Sequence, residues 1–292
     1  MRRILHLSDL HFGRTRPDLL EPLLRLTAEL SPDLVAVSGD LTQRARRTQF
    51  VEAAAFLRRL PAPWLSVPGN HDISLDNLLV RLADPWGRYR ALIHPDLSPT
   101  WEDDEVSVIG VNTVNRFAHQ AGHVNRAALR QIAAAYEEAP QKTLVVVMHH
   151  PLEHPPGSTK APMRHTVRGV EALGRAGADV VLSGHLHNAH VAPLTAAPGI
   201  LLVQAGTGLS TRVRDEPNTL NLLTIEPGAV RVDRYAATGV EFALDETAFF
   251  RRDGAGQGAR WERTEASPLD TPAVAPPPVL APTSPEPEAQ ST

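Results

Sequence analysis

Short apolar runs alternate with helical stripes along the first third of the chain. Ile4–Leu7 is the first run and ends in Ser8-Asp9. Residues Asp18–Leu30 place Leu19, Leu23, Leu26 and Leu30 on one helical face, with Pro17 suited to the first turn. Leu34–Val37 ends in Ser38-Gly39-Asp40, and Phe50, Ala54 and Leu57 mark a second helix. Trp64–Val67 ends in Pro68-Gly69-Asn70-His71-Asp72. Apolar runs separated by helices predict βαβ units with buried parallel strands. Each polar cluster falls at the carboxyl end of its run, where open α/β sheets hold their ligands.

The middle of the chain is less regular. Val106–Val111 reads as a strand, and Leu129, Ile132, Ala133 and Tyr136 as a helix. Lys142–Met148 is a further strand, ending in His149-His150-Pro151 and followed by a Pro- and Gly-rich loop to about Met163. Val167–Ala176 is a short helix, and Val180–Leu182 a strand ending in Ser183-Gly184-His185-Leu186-His187. No helical signal separates the β-like runs His190–Ala192, Ile200–Gln204, Leu220–Ile225 and Val230–Tyr235, so they suggest hairpins completing a second sheet. From about Glu265 the chain turns to Pro, Ala, Ser and Thr, too few apolar groups to offset the entropy of ordering. The expected organisation is one folded domain over 1–264 and a disordered, acidic, Pro/Ala-rich tail over 265–292.

Composition narrows the chemistry. The 292 residues include no cysteine, which excludes disulfides, zinc–thiolate sites and cysteine nucleophiles. Any metal must be held by His, Asp, Glu or Asn. The net charge of −4 arises entirely in the tail, so residues 1–264 carry no global bias toward nucleic acid or anionic surfaces. The N-terminal apolar run is too short for a signal peptide, and no stretch approaches the roughly 18 apolar residues of a membrane span. A cytoplasmic protein is expected, and a homodimer is left open.

Five clusters fall at predicted strand ends: Asp9-Leu10-His11, Gly39-Asp40, Gly69-Asn70-His71-Asp72, His149-His150 and Gly184-His185-Leu186-His187. Residues two apart on an extended segment point the same way, so Asp9 with His11, and His185 with His187, can each aim two ligand atoms into one cavity. The glycines before Asp40, Asn70 and His185 suit turns where backbone approaches a ligand. Carboxylates and an amide mixed with imidazoles suit Mn, Fe, Zn or Co better than Ca. Taken singly, Asp9 or Asn70 reads as a polar strand cap. Jointly, the clusters are a metal-site signature.

These residues resemble the calcineurin-like metallophosphoesterase superfamily, whose pattern of D-x-H, G-D, G-N-H-D/E, H and G-H-x-H is present in order over residues 9–187. The resemblance implies an α/β fold: a four-layer α/β/β/α sandwich of two mixed sheets, with a dinuclear metal site at strand C-terminal ends. It implies Asp9, His11 and His187 on one divalent ion, Asn70, His149 and His185 on the other, and Asp40 bridging both. His150 is left as a supporting or structural residue. Two divalent ions, two carboxylates and a bridging hydroxide leave about one net positive charge, enough to attract a phosphoester and stabilise charge building on its oxygens. His71 is expected to protonate the leaving oxygen or hold the phosphoryl group, with Asp72 orienting it.

Within the superfamily, His6–Gly13, Gly39–Thr42, Val67–Asp72 and Gly184–Asn188 look most like the class III cyclic nucleotide phosphodiesterases. That branch implies hydrolysis of 3′,5′-cyclic AMP, with His11, Asp40, Asn70, His71 and His187 around the phosphate. The alternative is a broad-specificity enzyme acting on glycerophosphodiesters and other small phosphoesters. A DNA exonuclease would add a capping domain and a helical region, for which the β-rich residues after His187 leave little room. UDP-diacylglucosamine hydrolases typically carry Arg where this chain has His71. A complete ligand set argues against a metal-free scaffold. Among the remaining polar residues, His6 reads as a hydrogen-bonded core residue, and His119, His123, His154 and His165 as loop polarity. Arg44, Arg46 and Arg47 read as a solvated helix start. Arg212 and Arg214 are evenly balanced between a phosphate clamp and surface ion pairs.

Overall fold

The chain forms thirteen described strands: β1 (Arg2–Leu7), β2 (Leu34–Val37), β3 (Trp64–Ser66), β4 (Thr100–Glu102), β5 (Val106–Val111), β6 (Thr143–Met148), β7 (Val180–Ser183), β8 (His190–Pro193), β9 (Leu201–Gln204), β10 (Thr219–Glu226), β11 (Ala229–Thr238), β12 (Glu241–Asp253) and β13 (Arg260–Thr264). Six α-helices accompany them: α1 (Leu20–Leu30), α2 (Arg47–Leu57), α3 (Leu78–Ala83), α4 (Gly87–Leu92), α5 (Arg126–Glu138) and α6 (Thr166–Arg175). The computed structural model describes residues 1–75, 77–118, 120–154, 163, 166–213, 216–254, 258–267 and 269. His119, His165, Arg214 and the tail from residue 270 onward lie outside the described residues.

Strand β1 sends successive side chains to opposite faces, and both faces are covered. Ile4 enters an apolar layer with Leu34, Val108, Val147 and Leu182. Leu5 and Leu7 point the other way, toward Leu23, Phe50 and Leu57. This double burial is why the runs are apolar throughout rather than alternating.

Two mixed sheets share the Ile4 layer. The first runs β13-β12-β11-β10-β1-β2-β3, with β1, β2 and β3 parallel and β10 antiparallel to β1. The second runs β4-β5-β6-β7-β9-β8, parallel from β5 to β9 with antiparallel strands at both edges. Helices α1 and α2 cover the first sheet from outside, and Ala128, Ile132, Val170 and Leu173 bring α5 and α6 onto the second. The four-layer α/β/β/α architecture is the one the sequence predicts. The late hairpins need correction. Only β8 and β9 join the second sheet, whereas β10 to β13 extend the first as a meander.

His6 lies on the inter-sheet side of β1, fully buried, with Nε2 2.9 Å from Ser38 Oγ. Burial pushes its pKa from the ordinary 6.5 down to about 3, against the pull of the Asp9 charge. As pH falls below 6.5, the unfolded chain therefore takes up a proton that folded His6 refuses. Stability should drop by about 1.4 kcal/mol per pH unit from this residue alone. His6→Gln should remove that component, so urea denaturation of wild type and variant at about pH 8 and about pH 5 should show the wild type losing more on acidification. Equal losses would show that His6 accepts the proton in place.

Candidate metal centre

Six parallel strands end at one edge of the sandwich, and the turns that follow them carry the polar clusters. Asp9 and His11 follow β1, Asp40 follows β2, and Asn70 and His71 follow β3. His149 follows β6, His185 and His187 follow β7, and the segment with Arg212 follows β9. The two sheets thus deliver their strand ends to one cavity. Asp9, His11, Asp40, Asn70, His149, His185 and His187 are all buried there.

The turns are tight. A Cβ on Gly69 would stand 2.1 Å from Asp40 Oδ1, and one on Gly184 would stand 1.8 Å from Ser8 Oγ, so neither position admits a side chain. Asp9, His11, Asp40, His185 and His187 all hold left-handed backbone, with φ between 50° and 72°. Outside the site, Ser31 and Ala45 are the other described non-glycine residues with positive φ.

Each buried carboxylate divides its oxygens between framework and cavity. Asp9 Oδ2 accepts from Ser8 Oγ at 2.7 Å and from the His185 amide at 2.9 Å. Its Oδ1 faces His187 Nε2 at 3.1 Å and His11 Nε2 at 3.5 Å and, among the described residues, accepts no well-formed hydrogen bond. Asp40 Oδ1 accepts from the His71 amide at 2.8 Å, while Oδ2 stands 3.3 Å from His149 Nε2 and 3.7 Å from His11 Nε2. His149 Nε2 also lies 3.1 Å from Asn70 Oδ1 and 3.2 Å from His185 Nδ1.

Backbone carbonyls set the ring orientations. His149 Nδ1 donates to Ser38 O at 2.8 Å, and His187 Nδ1 to Arg212 O at 3.1 Å, so each leaves Nε2 for the cavity. Burial opposes charge on both carboxylates. His187 and His11 nevertheless hold Asp9 well below the usual carboxylate range, and His149 and His71 do the same for Asp40. Burial also opposes charge on His149, but Asp40 outweighs it and lifts the ring to about 9. Both carboxylates therefore favour positive charge at the centre of the cavity.

The donors form two overlapping groups able to hold a cation: Asp9 with His11 and His187, and Asp9 with Asp40 and His149. Asn70 and His185 adjoin the second. A buried carboxylate oxygen with no well-formed hydrogen bond among the described residues, facing two imidazole nitrogens 3.3 Å apart, suits a borderline divalent ion.

His71 sits beside this group, its ring 4.9 Å from that of His11. Its Nδ1 donates to the Gln43 carbonyl at 2.8 Å, and Nε2 faces Arg212 Nη1 at 3.4 Å. Burial lowers its pKa, and Asp40 opposes the shift. The expectation that Asp72 orients His71 is corrected. Asp72 accepts from the amides of Leu41, Thr42 and Gly69 and from Thr42 Oγ1, at 2.8–3.1 Å. It staples the Asp40 turn to the Asn70 turn, and burial with the nearby Asp40 charge raises its pKa to about 6. Removing it would leave three buried amides without an acceptor.

His150 belongs to neither donor group: its Nδ1 is 2.8 Å from Thr113 Oγ1, and its ring packs 4.7 Å from that of His185. His149→Ala should therefore lower metal stoichiometry measured by elemental analysis, whereas His150→Ala should retain it. The reverse result would put the ligand one residue later. His123 and the Arg44–Arg47 arginines are exposed, and His154 is half-buried. Sequence reasoning missed Ser8, Ser38 and Gln43. Two of these act through a backbone carbonyl, which any residue type supplies.

A family model described as calcineurin-like phosphoesterase matches residues 2–189. A stretch of 73 residues is 37% identical to UDP-2,3-diacylglucosamine pyrophosphatase LpxG of Chlamydia muridarum (strain MoPn / Nigg), covering 24% of this chain and 22% of that protein. Among solved structures, purple acid phosphatase PPD1 from yellow lupin (Lupinus luteus) seeds superposes with a TM-score of 0.64 at 14% identity, over 84% of this chain and 53% of that one. The chain thus spans about a fifth of the one and half of the other, and the structural likeness is one of fold. Among the described residues no helix is long and apolar enough to cross a membrane.

Proposed function

Because the chain belongs to the calcineurin-like phosphoesterases, metal-dependent hydrolases of phosphoesters, we propose that it is a phosphodiesterase using two divalent ions, with 3′,5′-cyclic nucleotides such as cyclic AMP as its favoured substrates. The observation that carries this reading is the convergence of Asp9, His11, Asp40, His149 and His187 on one buried cavity, with His71 at its rim. Asp9, His11 and His187 would hold one ion, Asn70, His149 and His185 the other, and Asp40 would stand between them. The ions, drawn from Mn, Fe, Zn or Co, would supply Lewis acidity toward the phosphoryl oxygens and an activated water.

The chain's own residues do the rest. Arg212 Nη1 lies where it can grip a nonbridging oxygen, and a guanidinium matches that geometry. His71 keeps Nδ1–H on the Gln43 carbonyl, so Nε2 is the atom that exchanges a proton with the leaving oxygen. A phosphate anion beside it would offset the burial that lowers the ring's pKa. Asp72 holds the turns that aim Asp40 and Asn70.

A second reading has a specific observation behind it. The 37% identical stretch belongs to a pyrophosphatase of a nucleotide-linked diacylglucosamine. This chain carries His71 where such hydrolases typically carry arginine, but Arg212 brings a guanidinium to the same place. A substrate panel with the Mn-loaded protein separates the two: cyclic AMP, bis-p-nitrophenyl phosphate, glycerophosphodiesters, a nucleoside-diphosphate sugar and single-stranded DNA. Turnover of cyclic AMP above the others is expected. Turnover confined to the nucleoside-diphosphate sugar would establish the pyrophosphatase reading instead.

A further inference from the structure

Helix α3 is built inside out. Its one charged side chain, Arg81, is buried and donates to the carbonyls of Arg116 and Ala118, at 2.7 Å each. Its leucines face solvent: Leu78 is 66% exposed, Leu79 81% and Leu82 42%. Phe117, 77% exposed, belongs to the same ledge, because Arg81 grips its loop and Arg116 Nη1 donates to the Leu82 carbonyl at 3.0 Å. An amphipathic helix on a water-facing surface turns its apolar side inward. Here two arginines are spent fixing an apolar face outward, and contiguous patches of this kind mark contact surfaces.

The surroundings say what that face meets. Leu79 lines an open groove of about 450 Å³ together with Arg47 and Arg88. Among the described residues lining the groove, Asp84 is the carboxylate, and the two arginines outnumber it. Leucines and a phenylalanine flanked by arginines complement an interface that is apolar in depth and anionic at its surface. Both parts of the ledge follow in the chain from segments that pack at the candidate centre. Five residues separate Asp72 from α3, and the loop of Phe117 begins beside Thr113, the partner of His150.

We infer that α3 and Phe117 dock the protein on an anionic lipid surface, so that the site meets phosphodiesters presented at a membrane. The second clause rests on the phosphodiesterase reading; docking does not. The test is co-sedimentation of the full chain with vesicles of phosphatidylcholine alone or mixed with phosphatidylglycerol. The wild type should pellet with the mixed vesicles and be released by salt, since arginine contacts are screened. The double variant L79S/L82S should lose roughly tenfold or more in partitioning. R47Q/R88Q should lose the preference for phosphatidylglycerol. Both should keep wild-type melting temperature and wild-type turnover of soluble bis-p-nitrophenyl phosphate. No sedimentation of the wild type, or sedimentation that L79S/L82S leaves unchanged, would overturn the docking. So would a dimer on gel filtration that L79S/L82S dissolves, because a second copy would then cover the face. Failure of the phosphodiesterase reading shows separately, as absence of turnover in solution.

Discussion

Asp40→Asn should lower turnover by several orders of magnitude and weaken metal retention at both positions. One of its oxygens holds the His71 amide, and the other stands between His149 and His11. An asparagine can keep the first contact, because its carbonyl oxygen also accepts. It cannot supply the negative charge that two cations share. The folded structure should survive at a lower melting temperature in the metal-free protein, since the histidines that hold Asp40 ionised lose their counter-charge. Elemental analysis and turnover of bis-p-nitrophenyl phosphate are the paired measurements. Near-normal activity with full metal occupancy would remove Asp40 from the bridging position.

His71→Ala should separate substrates by their leaving groups. The 3′-oxygen of a cyclic nucleotide leaves as a strongly basic alkoxide and needs a proton, whereas p-nitrophenolate needs little help. General acid catalysis contributes roughly 10²–10⁴-fold. The variant should lose about that factor on cyclic AMP and far less on bis-p-nitrophenyl phosphate, with metal content unchanged. Among the described residues the ring's hydrogen-bond contacts, to Gln43 O and Arg212 Nη1, lie off the cluster of convergent donors. Equal losses on both substrates would assign His71 to phosphate positioning, and loss of metal would make it a ligand.

The fold was legible wherever a strand is buried on both faces. Val106–Val111, Thr143–Met148 and Val180–Ser183 carry only Ser107, Thr143 and Ser183 as polar side chains and are uniformly buried in the structure. Strand β12 was not legible: much of its length is exposed, and residues such as Glu241, Asp245 and Glu246 break any apolar run. Helix α3 escaped for the opposite reason, since its apolar residues face water and carry no inward stripe. The sheet to which the late hairpins belong depends on β10 pairing with β1 more than 200 residues away, a contact no local pattern records. At the site, spacing singled out Asp9 with His11 and His185 with His187, and the family resemblance supplied Asp40, Asn70 and His149; the two pairs sit in left-handed turns rather than on the extended segments expected. What orients them could not be read from either. Asp72 was expected on His71 because it is adjacent in sequence, yet its acceptors' geometry serves Leu41, Thr42 and Gly69, while a main-chain carbonyl holds the ring.

The left-handed backbone at Asp9, His11, Asp40, His185 and His187 sets conformational comfort against chemistry. Each such residue costs about 1–2 kcal/mol relative to ordinary backbone, a burden that glycine escapes. Random drift under selection for heat resistance alone would thus erode the cavity first, trading imidazoles and carboxylates for glycine or asparagine while the sheets stayed intact. On the proposed reading, demand for turnover is what keeps those five side chains where the main chain resists them, so durability and catalysis would pull the sequence in opposite directions at the same positions.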